Sequence, residues 1–430
     1  MELSQFKGAA EIGAVVRHVG DALTSGERLL PADGSIVNAG IYPQLAAKVK
    51  TNVKPIKWTS SIGAPLASSN VSVTRMRFPV WDLANNYILA TGTISSTYGG
   101  YELTGGTPNP IGDVASRYYA GRPSFSANRQ KKVSPWCNDA GQLWAHITTT
   151  GQPMSTSLTP GQNVSASGAL AGTGFYPSLM RADGSLAFCF GRSAAGANRL
   201  AVFSSPLTTA TTAWTAATPA TLASGNADLT GEAYGNANLS LMVLGQAGSV
   251  LKTTDNGATF TRKTLNPEAP DSPIVGLVAH PDGLTSLCRQ GNLLFVTSDG
   301  WETWRTIPPP PIPEGAETIA LASAGIEEGS RNIYALYRVW LMGSTGSQIT
   351  HAMLRSTDHG ATWSDLIVQP GVAMSASLSL YECPLMIPAN PTYFFAAYRQ
   401  SSDDQLVRFD ISQGKILPFQ AGWKIVADRV

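Results

Sequence analysis

Through the second half of the chain, short apolar and β-branched runs alternate with polar turns at a spacing that suits strands rather than helices. One stretch shows the plan complete: residues 274–280 are apolar and β-prone, Pro281-Asp282-Gly283 is a turn, residues 284–289 and 292–297 are two more strands, and residues 303–307 a fourth. Such an order predicts a four-stranded antiparallel meander. The same plan recurs over residues 176–215, where Ala182-Asp183-Gly184 separates two short strands and Trp214 opens the last. Carried along the chain, it predicts about seven meanders, near residues 71–108, 115–165, 175–216, 231–264, 274–307, 317–368 and 376–425, with six as the alternative count. The fold class expected is all-β, built of four-stranded antiparallel units, and a ring of such units would leave no long free sheet edge. The Ser/Thr/Gly-rich residues 148–174 read as a long loop, and residues 423–426 as a last strand that closes the ring.

An eight-residue turn is repeated within this pattern. It runs Thr253-Thr254-Asp255-Asn256-Gly257-Ala258-Thr259-Phe260, then Thr297-Ser298-Asp299-Gly300-Trp301-Glu302-Thr303-Trp304, then Ser356-Thr357-Asp358-His359-Gly360-Ala361-Thr362-Trp363. The middle copy carries its glycine one place earlier. An Asp at a tight reversal accepts hydrogen bonds from amides further along the loop, Gly takes a positive φ, and the aromatic opening the next strand packs inward. These turns resemble the Asp box of the sialidase-like and BNR-repeat β-propellers. The resemblance implies a structural role for Asp255, Gly257, Phe260, Asp299, Trp304, Asp358, Gly360 and Trp363, at the end of each blade away from the ligand face. Successive box aspartates lie 44 and 59 residues apart, against about 40–50 for common propeller repeats. The longer interval is expected to hold an insertion, beginning with the polyproline run Pro308-Pro309-Pro310-Pro311-Ile312-Pro313.

Residues 1–54 are a different material and are expected to be a separate attachment segment ahead of a propeller over residues 55–430. Leu30-Pro31-Ala32-Asp33-Gly34-Ser35, followed by Tyr42-Pro43-Gln44-Leu45-Ala46, reads as a strand, an Asp-Gly turn and the start of a short helix. This stretch resembles a signature of bacteriophage tail-fibre and tail-collar proteins. It departs from it at Ala32 and in the longer spacer over residues 36–41. The resemblance implies a tail-fibre or baseplate-attached receptor-binding protein of the virion, a homotrimer that contacts other tail proteins and a host cell-surface receptor, glycan or outer-membrane protein.

Composition narrows the partners. Charged residues are 14% of the chain, its formal net charge is +1 and its pI near 7.7, a balance that argues against capture of nucleic acid or anionic membrane. No apolar run is long enough to span a bilayer, and the first residues lack the apolar core of a signal peptide, so synthesis in a host cytoplasm is expected. Cys137, Cys189, Cys288 and Cys383 are far apart and form no metal-binding spacing. No cofactor or metal is expected.

Candidate chemistry is sparse. Met76-Arg77-Phe78-Pro79 stands at the start of the first blade, where sialidases carry the first arginine of the triad that grips a carboxylate, which makes Arg77 the one catalytic candidate. The aspartates that follow, Asp82 and Asp113, do not match the acid/base position of those enzymes, and Arg192, Arg199, Arg355 and Arg399 lie in no matching context. The histidines show no ligand spacing. Tyr98, Tyr101, Tyr118 and Tyr119, with Trp136 and Trp144 nearby, are the aromatics a glycan-contacting surface would use. Glycoside cleavage needs two placed carboxylates, so sequence favours recognition of a host cell over catalysis. A sialidase-like glycoside hydrolase acting on bacterial surface polysaccharide and a purely structural virion protein are the alternatives.

Overall fold

The computed structural model describes residues 121–364 with their side chains, apart from residues 129, 139–140, 149–161, 165–173, 175, 194–198, 208–213, 219–228, 314–315, 328 and 341–348; outside that stretch it gives the pairing of strands. The fold is all-β and repeats one unit, the four-stranded antiparallel sheet. Three complete copies follow one another. Ser178–Met180, Ala187–Ser193, Arg199–Ser205 and Thr215–Thr221 form the first, and Leu229–Gly235, Met242–Gln246, Ser249–Thr253 and Thr261–Thr264 the second. Val275–Ala279, Ser286–Gln290, Leu293–Thr297 and Arg305–Ile307 form the third. In each, strands pair in chain order. Ahead of them stands a sheet built on Lys132–Cys137 and Leu143–Thr148, and after them one built on Ala316–Ile326, Ile333–Leu341 and Gln348–Ser356. Val73–Asp82, Tyr87–Ile94, Thr97–Thr104 and Thr107–Ile111 make a further four-stranded sheet.

The arrangement is propeller-like. The first strands of the successive sheets lie side by side along an inner edge, while outer strands such as Thr261–Thr264 and Arg305–Ile307 stay largely exposed. Apolar faces of neighbouring sheets meet between them. Leu241, Val243 and Val250 of one sheet share a buried cluster with Leu277, Cys288 and Phe295 of the next, and the following cluster joins Leu287, Leu294 and Val296 to Ile319, Leu321 and Tyr337. Burial of both faces explains why these strands read as near-continuous apolar runs rather than strict alternation. Cys137, Cys189 and Cys288 are buried in these layers and none is in a disulfide; burial pushes the Cys189 thiol well up.

At one end of the sheets the first hairpin turns stack on one another. The Ala127 N–H donates to the Ala182 carbonyl and the Ala182 N–H to the Ala237 carbonyl, both at 2.7 Å. Asp183, Asn238 and Asp282 each accept an amide two residues on, from Ser185, Ser240 and Leu284. These are the Asx turns that the Asp-Gly and Asn-rich stretches predict.

The proline run behaves differently from expectation. It lies in an ordinary connection between Ile307 and Ala316, comparable with the one between Thr264 and Val275. The extra length of the 59-residue interval goes instead into the long strands Ala316–Ile326, Ile333–Leu341 and Gln348–Ser356.

Hydrogen bonds also cross residue 54. Val15–Arg17 and Leu29–Asp33 pair with Phe419–Val426 from opposite sides, and Ile36–Asn38 and Val53–Ile62 both pair with Asp403–Ile416. The expected closing strand is thus joined to the first fifty residues. The short helix expected at Tyr42-Pro43-Gln44-Leu45-Ala46 lies outside the described residues. No helix among the described residues is long and apolar enough to cross a membrane.

Candidate functional site

The three repeated turns are built alike. In the first, Thr253 Oγ1 donates to Asp255 Oδ1 (2.7 Å) and accepts the Gly257 N–H (3.1 Å), while Asp255 accepts the Thr259 N–H (2.9 Å) and its hydroxyl (2.6 Å). In the third, Ser356 and Asp358 make the same four bonds with Gly360 and Thr362, at 2.9, 2.8, 2.8 and 2.6 Å. In the second, Thr297 and Asp299 bind Trp301 and Thr303 in the same way. The side-chain bonds from Thr259 lead in holding Asp255 down to about 2. At Asp358 burial works to raise the pKa, and the bonds from Thr362 and Ser356 override it, leaving it at about 2.

The middle turn carries its glycine one place early without a change of backbone. Each box has two consecutive left-handed positions, Asn256 and Gly257 (φ 56° and 85°), Gly300 and Trp301 (both 68°), His359 and Gly360 (57° and 81°). Two boxes put glycine second; the middle one puts glycine first and sets a fully buried tryptophan in the second position. The strain of a non-glycine residue there is offset by the packing of Trp301 with Tyr234, Leu241 and Val243.

Those neighbours belong to the preceding sheet, and the relation holds in every box. A Cβ at Gly257 would meet Met242 of its own sheet at 3.2 Å and, further off, Phe188 and Val202 of the preceding one; a Cβ at Gly360 would meet Val296 of the preceding sheet at 3.1 Å. Phe260, Trp304 and Trp363 pack on clusters that likewise include the preceding sheet. Each box is therefore a clamp to the sheet before it. Asp358→Ala is expected to lower stability by about 1–3 kcal/mol, since it strips the turn of its acceptor. Because Asp358 has a depressed folded pKa, its contribution is present above an unfolded value of about 3.9 and is lost as pH falls through about 2. Chemical denaturation at pH 7 and pH 2 checks both: the variant's deficit should shrink in acid.

Chemistry gathers at the other end. Antiparallel order brings the third-to-fourth turn back to the end that carries the first-to-second turn, so the starts of the first strands lie away from the boxes. There the first strands bulge: pairing shifts between Leu229 and Ala233, between Val275 and Val278, and between Leu321 and Ser323. Gly231 and Gly276 take φ of 82° and 69° at the first two bulges.

Charged side chains satisfy the displaced peptides. Glu232, 2% exposed, accepts the Gly276 N–H on Oε1 (2.9 Å) and the Leu277 N–H on Oε2 (2.7 Å). Arg122 Nη1 donates to the Leu277 carbonyl (2.6 Å), and Arg289 Nη1 to the Leu321 carbonyl (3.2 Å). The Arg122 backbone is stitched in as well: its N–H donates to the Gly231 carbonyl, and its carbonyl accepts the Ser178 N–H and hydroxyl. One residue thus ties the first strands of three successive sheets. Burial pushes the Glu232 carboxyl up to about 7, against the opposing pull of the Leu277 N–H, Arg122, the Gly276 N–H and Arg289. Burial likewise pulls the Arg122 pKa down, and Glu232 only partly opposes it. A Cβ at buried Gly276 would meet nothing within 4 Å, so there is room beside this hub. The result is a buried carboxyl with both its oxygens held by peptide N–H groups, and two arginines satisfying carbonyls of the neighbouring first strands.

Sequence reasoning missed Arg122, Glu232 and Arg289. The available signal was a lone acid in an apolar strand, Leu-Thr-Gly-Glu-Ala-Tyr-Gly over Leu229–Gly235, directly after a glycine. Of the residues it did select, Arg77 falls on Val73–Asp82 opposite Thr91, Tyr98 and Tyr101 on Thr97–Thr104, and Tyr119 opposite Cys137. Their side chains, and Tyr118, lie outside the described residues. Trp136 and Trp144 stack across strands at 5.4 Å between ring centres, and His146 lies 5.8 Å from Trp136. All three are half-buried, and burial holds His146 down to about 4, hence neutral. Among the described residues no group of His, Cys, Asp or Glu is arranged to hold a metal ion.

No protein-family model matches the chain, and no curated protein matches it. Solved structures are similar at a distance. An ancestral GH74 enzyme is 12% identical with a TM-score of 0.47, over 80% of this chain and 47% of that one, so the chain spans about half the length of that enzyme. A chain of the mitotic checkpoint complex is 9% identical (TM-score 0.43, 95% of this chain and 99% of that one), and the WD40 domain of SCAP from fission yeast is 7% identical (TM-score 0.41, 83% and 90%).

Proposed function

We propose that this chain is a carbohydrate-acting Asp-box β-propeller, its sheets closed into a ring of about seven blades, and that it cleaves bacterial surface polysaccharide as a sialidase-like glycoside hydrolase. The observation that carries this reading is the division of labour between the two ends of the sheets. The boxes occupy one end as inter-sheet clamps, which leaves the other for a ligand, and there a buried carboxyl with its pKa pushed up to about 7 shares the first-strand bulges with two arginines bound to the Leu277 and Leu321 carbonyls. Buried acids of this kind cluster at functional sites. Glu232 positions the hub through its two amide bonds. Arg77, at the start of the first blade, belongs to the same proposal as a substrate-gripping arginine.

The test is incubation of the purified chain with bacterial surface polysaccharides and with sialosides, measuring bound glycan and released reducing ends together. Release that disappears in Arg77→Ala supports the hydrolase. Binding without release supports a second reading, favoured by the segment Leu30-Pro31-Ala32-Asp33-Gly34-Ser35 and Tyr42-Pro43-Gln44-Leu45-Ala46: a receptor-binding tail protein of a bacteriophage, trimeric and incorporated into the virion. Neither binding nor release leaves a structural virion protein.

A further inference from the structure

Of the three boxes, the first alone puts asparagine at the earlier of its two left-handed positions. Asn256-Gly257 is also the one Asn-Gly step in the whole sequence. It differs in chemistry from the Gly300-Trp301 and His359-Gly360 pairs that fill the same place, because the Asn256 side chain ends in an amide carbon that the next peptide nitrogen can attack. Glycine as the following residue brings no side chain to crowd that approach.

The folded box holds the two reacting groups apart. Asn256 is exposed to water, and its side-chain amide makes no hydrogen bond among the described residues. Its backbone is left-handed, with φ of 56°, a region where ψ is about +47° and the next nitrogen points away from the side chain. That nitrogen is also occupied, since the buried Gly257 N–H donates to Thr253 Oγ1 at 3.1 Å. Thr253 is fixed in turn by its bond to Asp255. The glycine lies against Met242, which a Cβ there would meet at 3.2 Å, so the peptide has little room to turn.

We propose that Asn256 is a deamidation site, held shut by the folded box and opened by release of its turn. In the reaction the Gly257 nitrogen forms a bond to the Asn256 side-chain carbonyl carbon and gives up its proton, while the carbon–nitrogen bond of the side-chain amide breaks and ammonia carries that proton away. Water then splits one of the two ring carbon–nitrogen bonds of the resulting five-membered imide. One product is aspartate; the other is isoaspartate, in which the main chain runs through the former side chain. Isoaspartate adds a carbon to the backbone within a turn whose bonds span only four residues, so the Gly257 N–H no longer meets Thr253 Oγ1. A passing release of the clamp on Phe188 and Val202 thereby becomes permanent. This rests on the box alone and is independent of any action on carbohydrate.

The experiment incubates the full chain and a synthetic peptide of residues 250–262 at mildly alkaline pH. Peptide mapping follows Asn256 through the mass gained when the amide becomes an acid, and separates isoaspartate from aspartate. The folded chain is expected to react roughly tenfold or more slowly than the peptide, a factor set by the free energy of opening the turn. Thr253→Ala, which frees the Gly257 N–H, should move the rate in the folded chain several-fold toward the peptide's. Thr253→Ser restores the hydroxyl in the form that the third box uses at Ser356 and should keep the parent's rate. A parent chain that reacts as fast as the peptide overturns the proposal, and this comparison stands even where Thr253→Ala fails to fold. So does a Thr253→Ala chain of unchanged melting temperature that reacts no faster than the parent.

Discussion

Replacing Trp301 with alanine is expected to lower stability by about 3–5 kcal/mol, the cost of deleting a large fully buried aromatic. The more telling comparison is with glycine. Trp301 holds a φ of 68°, where an alanine is strained and a glycine is not, so Trp301→Gly should be about 1 kcal/mol less damaging than Trp301→Ala. That reverses the usual order of the two residues. Glycine would also make the middle box match the second position of the other two. Equilibrium denaturation of both variants decides it, and Ala equal to or milder than Gly would contradict the backbone argument.

Why the sequence displays one end of this molecule and hides the other follows from the reach of the contacts. In the boxes every bond joins residues two to four apart, as from Thr253 and Asp255 to Gly257 and Thr259, so the motif is written in consecutive letters. At the hub, Glu232 meets amides 44 and 45 residues on, and Arg122 a carbonyl 155 residues on. Nothing local marks Glu232 except a charge in an apolar strand, and Arg122 sits in the short link between two strands. Trp301 is an intermediate case. The letters show a glycine one place early, and only the backbone reveals two left-handed positions of which either can hold it. The meanders at 175–216, 231–264 and 274–307 were legible because each apolar run ends in an Asp or Asn turn. The pairing of the first fifty residues with the last strands was not, since it depends on partners almost the whole chain apart.

Removing the hub carboxylate is expected to have the other large effect. Glu232→Ala leaves the Gly276 and Leu277 amides unpaired in a buried site, a loss of about 3 kcal/mol. Glu232→Gln separates charge from shape. The folded pKa of about 7 stands above the ordinary 4.5, so the folded state binds the proton more tightly than the unfolded chain. This group's contribution is therefore greatest below the unfolded value and is lost as pH rises toward 7. Denaturation from pH 4.5 to 7 should show that decline in the parent and a flatter profile in Glu232→Gln. An unchanged slope would remove Glu232 from the account.

The central claim is that the boxes hold the sheets together while the opposite end does the work. Its most direct test is the reducing-end release assay on bacterial surface polysaccharide, run with Arg122→Gln and Asp358→Ala side by side at a temperature where both remain folded. The account predicts that Asp358→Ala keeps the parent's rate and Arg122→Gln loses it. A rate that falls with Asp358→Ala and survives Arg122→Gln would put the working site at the wrong end and contradict the account.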